Sequence, residues 1–338
     1  MSASPRILVT GGAGFIGSAL VWAINRRGSD RIVVADFLGT DEKWRNLAPL
    51  RFEDYVEADD LLPRLADGTL GAFDLVLHMG ACSATTERDA AYLVRNNFEY
   101  TKKLCAWSLA HGARFVYASS AATYGDGSAG MDDGTGTLNA LRPLNMYGYS
   151  KQLFDQWAAR AGLFDRITGL KFFNVFGPNE DHKGDMRSVV HKSFEQIGRT
   201  GSVELFRSHR PDFRDGEQQR DFVYVKDVVR MTLHLADGHH AGLFNIGSGI
   251  ANTWLDLVRP VFAAMGREAD IRFVDMPLAL REKYQYHTRA DISRLRATGY
   301  DAPLTPLADA VTDYVTGYLT TGRRLGDEGG RQEVGDRR

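Results

Sequence analysis

Short apolar runs separated by amphipathic stretches set the rhythm of the first half of the chain. Residues 6–10 (RILVT) are one such run, followed by GGAGFIG and then by helical spacing of apolar positions from Phe15 to Arg27. That order predicts a strand, a tight turn and a helix. Further buried strands are predicted at 31–36 (RIVVAD), 55–59 (YVEAD), 73–80 (FDLVLHMG) and 113–120 (ARFVYASS). A sixth is predicted at 168–177 (TGLKFFNVFG), and helical periodicity fills 88–111. Strands that alternate with helices predict an α/β protein built on a doubly wound parallel sheet with helices on both faces.

The texture changes after residue 174. Proline, glycine and charge interrupt GPNEDHKGDMRS (177–188) and RSHRPDFRDGEQQRD (207–221), while strand-like DFVYV (221–225), LFNIG (243–247) and IRFVD (271–275) lie among helices. We assign residues 1–173 to the large domain and 174–320 to a smaller, discontinuous C-terminal α/β lobe, with segments near 221–250 returning to the first. Residues 321–338 are almost devoid of apolar side chains and rich in glycine and charge, which predicts a disordered tail.

Charge and composition narrow the class of partner. With 41 basic against 43 acidic residues the net charge is -2, and no basic stripe offers itself to nucleic acid or membrane. Two cysteines are too few for a disulfide framework. With no leader-like segment and no long apolar run, a cytoplasmic location is expected. Nine histidines are scattered without ligand spacing, so a metal site is not expected.

The first turn carries candidate chemistry. Gly11, Gly14 and Gly17 are spaced three apart between strand and helix. A tight turn, close approach of backbone to a pyrophosphate and close helix–strand packing each require glycine there, and the helix N-terminus offers free N–H groups to phosphate. Asp36 lies nineteen residues beyond Gly17 at the end of the second strand, where an acid binds a ribose hydroxyl. A Rossmann-type dinucleotide domain is the reading. Asp36 favours NAD, and Lys43 in the following loop could instead pair with the 2′-phosphate of NADP. These residues leave the choice open.

NMYGYSK (145–151) puts Tyr147 and Lys151 four apart, on one face of a helix. YASSAATYG (117–125) ends the fifth strand and brings Ser119, Ser120 and Thr123 to the edge where such sheets hold ligands. A tyrosine titrates near ~10 in water, and an ammonium beside it favours the phenolate. Tyr147 as base, Lys151 as its partner and ribose anchor, and a hydroxyl from Ser120 or Thr123 suit proton removal from an alcohol as hydride leaves.

TGGAGFIG, YASSAATYG, YGYSK and RDFVYVKDV resemble the extended short-chain dehydrogenase/reductase family, mostly nucleotide-sugar epimerases and dehydratases. The resemblance covers about residues 5 to 320. GACSATTE (80–87), NNFEYTKKL (96–104), FFNVFGPNEDHKGDMRSV (172–189) and EKYQYHTRADI (282–292) resemble the branch that inverts C6″ of an ADP-linked manno-heptose. The resemblance implies Tyr147, Lys183, Lys151 and Ser120 as the catalytic set, with Lys183 a second base across the sugar. It implies tightly held NADP, with NAD as the alternative, in a shell that adds Phe15, Ile16, Phe37, Met79, Gly80, Ala81, Cys82, Ser83, Asn96, Val175 and Lys183 to Gly11, Gly14, Gly17, Asp36, Lys43 and Lys151. Substrate contacts are implied at Ser120, Asn174, Phe206, Arg207, Ser208, His209, Arg220 and Tyr284. Asp185 and Lys192 stand where a serine and a histidine are expected, and Ala58 where a second lysine for NADP is expected. A homo-oligomer, with a pentamer as one form, is implied as well. The alternatives are a UDP-sugar 4-epimerase using Tyr147 alone and a non-catalytic dinucleotide sensor.

Overall fold

The computed structural model describes residues 4–281 and 284–327. Seven strands form one parallel sheet: β1 (Ile7–Thr10), β2 (Ile32–Asp36), β3 (Asp54–Glu57), β4 (Leu75–His78), β5 (Arg114–Ser120), β6 (Ile167–Phe172) and, far along the chain, Gly242–Ile246. Two small sheets lie apart from it. One joins β7 (Asn174–Phe176), β9 (Gln219–Tyr224) and β11 (Ala251–Thr253); the other joins β8 (Val203–Phe206) and β12 (Ile271–Val274). With Gly242–Ile246 as β10, the large sheet runs β10-β6-β5-β4-β1-β2-β3. The strand order reverses beside β1, and the crevice at that switch point is where such a sheet binds its ligand.

Each central strand is apolar on both faces because helices cover both. Ile7 and Val9 of β1 join one core cluster, with α1 (Phe15–Arg26); Leu8 between them joins the other, with α2 (Ala58–Ala66). The strand predicted at 55–59 ends at Glu57, because Asp59 and Asp60 sit in the first turn of α2, where the helix dipole favours acids. The predicted helix at 88–111 comprises α3 (Ala90–Leu93), a π turn (Val94–Glu99) and α4 (Tyr100–Ala110).

The run at 168–177, expected as one strand, is two in different sheets. Phe173 N donates to Ile246 O at 3.0 Å as the last bond to β10, and Val175 N then donates to Phe173 O at 2.9 Å. That three-residue turn swings Asn174–Phe176 out to pair with β9. Of the segments near 221–250, β10 pairs with β6 in the large sheet while β9 stays in the small one. The disordered tail predicted at 321–338 is corrected over its first part: Leu325 is fully buried and Arg324 is held by two acceptors. One leucine with a gap to fill outweighs a polar composition. Residues 328–338, and Glu282 and Lys283 of the resembling segment, lie outside the described residues.

Beneath β5 a buried ion pair ties three elements. Lys171 on β6 and Asp155 on α5 (Met146–Arg160) are both fully buried, with Nζ 2.8 Å from Oδ2. Ser119 is the register partner of Lys171, and Tyr117 lies two residues back on the same face of β5. Ser119 Oγ donates to Asp155 Oδ2 at 2.8 Å and Tyr117 OH to Oδ1 at 2.7 Å. Lys171 Nζ also donates to Thr123 Oγ1 at 2.7 Å. Removing one member strands a buried charge, at a cost of about 3–5 kcal/mol. Lys171→Met should lose stability on that scale in urea titration, and combining it with Asp155→Leu should recover part of the loss. Strict additivity of the two would refute the pairing.

Candidate active site

Two adjoining cavities open at the C-terminal ends of the strands. The first, about 540 Å³, lies over the glycine turn; the second, about 520 Å³, lies between β5, α5 and the C-terminal elements. They share Phe15, Ile16, Met79, Ala81, Ser83 and Lys183 in their walls.

The glycine turn fits a dinucleotide. Gly11 has a φ of 65°, and a Cβ there would lie 2.6 Å from Gly80 N. A Cβ at Gly17 would come within 2.0 Å of Gly11 O, so turn, helix and the loop after β4 meet backbone to backbone. No side chain caps α1, which leaves its first N–H groups free for phosphate. Gly11, Gly14, Gly17, Asp36, Phe37, Lys43, Met79, Gly80, Cys82 and Asn96 all line this cavity, as do Phe15, Ile16, Ala81, Ser83 and Lys183. Ala58 lines it too.

Asp36 is held by the turn it lines. Its Oδ2 accepts from Ala13 N at 2.9 Å and Gly14 N at 3.2 Å, and its Oδ1 from Phe37 N at 2.7 Å. Lys43 Nζ lies 3.0 Å from Oδ1. The carboxylate braces the turn from below and Lys43 neutralises it. Asn97, next to Asn96 and absent from the expected set, holds the loop at 80–83. Its Oδ1 accepts from Cys82 N at 2.9 Å, and its Nδ2 donates to Cys82 O and to Ser150 Oγ, both at 3.0 Å.

The second cavity collects Ser120, Tyr147, Lys151, Asn174, Val175, Lys183, Arg220 and Tyr284. Tyr147 and Lys151 stand one turn apart on α5, whose N-cap Asn145 accepts from Gly148 N at 2.8 Å. Gly148 has a structural reason: a Cβ there would lie 2.7 Å from Ala122 O, so only glycine lets α5 pack against the turn after Ser120. Three hydroxyls were expected to reach the site, and two are spent elsewhere. Ser119 donates to Asp155, and Thr123 donates to Ser120 O at 2.8 Å while accepting from Lys171. Ser120 remains in the cavity wall with Tyr147, its Oγ accepting from Ala122 N at 3.1 Å.

Electrostatics here corrects one expectation. Burial raises the Tyr147 pKa, and it is the Ser120 hydroxyl, not Lys151, that pulls against the rise. Lys151 Nζ donates to Ala118 O at 2.9 Å, and burial pushes its own pKa down to about 8. Desolvation wins because Lys151 is buried and Tyr147, half-buried in the cavity wall, is crowded by protein. Lys183 is depressed too, chiefly by burial and further by Lys192, while Glu180 pulls it up. Its Nζ lies 5.3 Å from the centre of the Phe15 ring.

Arg220 is buried against two aromatic rings, its guanidinium carbon 5.0 Å from the centre of Tyr284 and 5.7 Å from that of Trp254, and Trp254 Nε1 donates to Tyr284 OH at 2.8 Å. The clamp presents a guanidinium to the cavity. Trp254, Arg187, Gln285 and Thr288 also line it, and sequence reasoning missed all four. Trp254 reaches Arg220 because β11 pairs with β9, and no spacing in the chain signals that. Asp185 and Lys192 are exposed and line neither cavity. Phe206, Arg207, Ser208 and His209 line neither as well; His209 N donates to the hydroxyl of Tyr286, which packs edge-on to Tyr284.

The buried Lys151 amine has a sign that pH can test. Below about pH 8 it is charged whether folded or not, so its burial costs stability in full; between about 8 and 10.5 only the unfolded chain holds the proton, and the cost fades. The melting-temperature difference, Lys151→Met minus wild type, should therefore fall as pH rises from ~7 to ~10. A difference that is flat with pH would refute the buried charge.

The NAD dependent epimerase/dehydratase family model matches residues 7–247. The ADP-L-glycero-D-manno-heptose-6-epimerase of Nitratidesulfovibrio vulgaris (strain DP4) is 55% identical over 314 residues, 92% of this chain and 97% of that one. That of Pseudomonas aeruginosa (strain PAO1) is 41% identical over 325 residues, 91% and 97% of the two chains. Among solved structures, the Helicobacter pylori ADP-L-glycero-D-manno-heptose-6-epimerase superposes with a TM-score of 0.78 at 28% identity, covering 92% of this chain and 95% of that one. The UDP-glucose 4-epimerase of Thermus thermophilus, solved with NAD, shares the fold with a TM-score of 0.74 at 24% identity over 92% and 97%. Carrying the glycine turn, the Tyr147–Lys151 pair and a family match across most of its length, the chain belongs to the NAD dependent epimerase/dehydratase family.

Proposed function

We propose that the protein interconverts ADP-D-glycero-D-manno-heptose and ADP-L-glycero-D-manno-heptose at C6″, in the synthesis of lipopolysaccharide core heptose. The observation that carries this reading is Lys183: its amine lines the same cavity as Tyr147 but comes from a separate turn, Asp181–Met186. Two bases on different elements suit an inversion, since the two epimers point their hydroxyls in different directions. Relatives of that name at 55% and 41% identity support it.

The glycine turn and α1 hold the dinucleotide's phosphates, and Lys151 anchors its ribose. A bound oxidised dinucleotide would supply the acceptor for the C6″ hydride and the source of its return, so that net redox would be zero. Tyr147 removes the hydroxyl proton of one epimer and Lys183 that of the other, each returning a proton when the 6″-ketone is reduced on its side. Ser120 orients the oxygen. The depressed pKa of Lys183 favours the neutral amine that a base must present. Arg220 in its aromatic clamp meets the diphosphate. We assign residues 174–320, less the strand that returns to the large sheet, to the substrate lobe and take the working form to be a homo-oligomer.

The purified protein should epimerise an ADP-linked manno-heptose and leave UDP-galactose unchanged; the reverse would make it a UDP-sugar 4-epimerase. Tyr147→Phe and Lys183→Met should each slow epimerisation on the order of 10²–10⁴-fold. They should show opposite stereochemical preferences in a half-reaction with a 6″-aldehyde analogue. Near wild-type epimerisation by Lys183→Met would end the two-base reading.

NADP is the cofactor we assign, with Lys43, already paired to Asp36, meeting the 2′-phosphate. Losing a charged hydrogen bond of this kind costs about 1.5–3 kcal/mol, roughly 10–100-fold in affinity. Lys43→Ala should weaken NADP on that scale and NAD far less in a titration of the apoprotein. Equal loss for both would assign NAD.

A further inference from the structure

After helix Leu307–Tyr314, the last α-helix among the described residues, and the π turn Val315–Leu319, the chain runs back over the body of the protein. Leu325 is fully buried in the same apolar cluster as Leu47 and Leu50, and its N–H donates to Asn179 Oδ1 at 3.0 Å. Arg324 beside it sends one guanidinium nitrogen to Asn46 Oδ1 at 2.9 Å and to Asp181 Oδ2 at 2.6 Å. Its side chain is only 14% exposed. Oδ1 of Asp181 faces His191 Nε2 at 3.4 Å.

These contacts converge on the turn that carries Lys183. Asn46 is fully buried, and its Nδ2 reaches Ala13 O and Asn179 O at 3.0 Å and His182 Nδ1 at 3.3 Å. Asn179 takes φ 77°, the left-handed region that asparagine tolerates, and its Nδ2 donates to Ser18 Oγ on α1 at 3.0 Å. From the other side, Glu180 accepts from Ser188 N and Ser188 Oγ, both at 2.6 Å, and Lys183 N donates to Glu180 O at 3.0 Å. The Lys183 amine itself has no hydrogen-bond acceptor among the described residues, so its place is set by the backbone of its turn.

We infer that the C-terminal strap positions the second base, with Arg324 acting through Asp181 and Asn46 as a positioning residue for Lys183. The inference rests on the role of Lys183 proposed above. Arg324 touches neither cavity, and its effect runs entirely through the turn it holds. A relaxed turn lets the amine drift, and a 1 Å misplacement costs on the order of 10²-fold.

The test uses the full chain with Arg324→Ala, Arg324→Lys and Asp181→Asn, each alone and in the Lys183→Met background. Arg324→Ala should lower kcat for the ADP-heptose about tenfold, with KM within about twofold. It should also tilt the half-reaction with the 6″-aldehyde analogue toward the preference shown by Lys183→Met. Arg324→Lys, which keeps the charge and one hydrogen bond, should recover part of the rate. In the Lys183→Met background Arg324→Ala should cost nothing further, because the residue it positions is gone. Equal losses in both backgrounds, or a fall in both half-reactions alike, would make the strap merely structural and overturn the inference. Wild-type kinetics for Arg324→Ala would overturn it as well. If Arg324→Ala fails to fold, Arg324→Lys and Asp181→Asn are read by the same criteria. Unimpaired epimerisation by Lys183→Met is a separate failure, because it removes the two-base reading itself.

Discussion

The fully buried pair of Lys171 and Asp155 is the constraint on which the rest of the site depends. Two charges taken out of water must satisfy one another and find hydrogen bonds for their remaining valences. Here the partners are Tyr117, Ser119 and Thr123, so the pair knots β6, β5, the turn after β5 and α5 together. Asp155 lies eight residues beyond Tyr147 on that helix. Once the carboxylate is docked, Tyr147 and Lys151 arrive at the end of β5 with little freedom left, and Ser120 is the hydroxyl they meet.

A second polar knot does the same for the dinucleotide side. Asp36 braces the glycine turn through Ala13 and Gly14, while Asn46 ties that turn to Asn179 and His182. The two knots are built from different residues on different elements. One holds Tyr147, the other Lys183, and the bases therefore belong to separately anchored elements. Burial that makes these anchors firm also depresses Lys151 and Lys183 and raises Tyr147, so the amines lie closer to neutrality than they would in water.

Within the C-terminal lobe the same logic governs Arg220. A buried cation in the cavity wall is held by two aromatic rings and by Gln219 O, which accepts from it at 2.8 Å. Phe206–His209 lie behind this clamp through Tyr286 and line neither cavity.

Much of this was legible in the chain. Runs apolar on both faces determined a covered parallel sheet, glycine spacing determined a turn open to phosphate, and the i, i+4 pair determined that Tyr147 and Lys151 share a helix face, because each is a matter of local geometry. Tertiary structure decided what local geometry cannot. It split 168–177 at Phe173, since the next strand's partner lies some fifty residues on. It spent Ser119 and Thr123 on Asp155 and Lys171, and paired Trp254 with Arg220 across a small sheet. It also seated Leu325 of a tail that composition alone reads as disordered. Burial and partnership are properties of neighbours in space, and a sequence lists only neighbours along the chain.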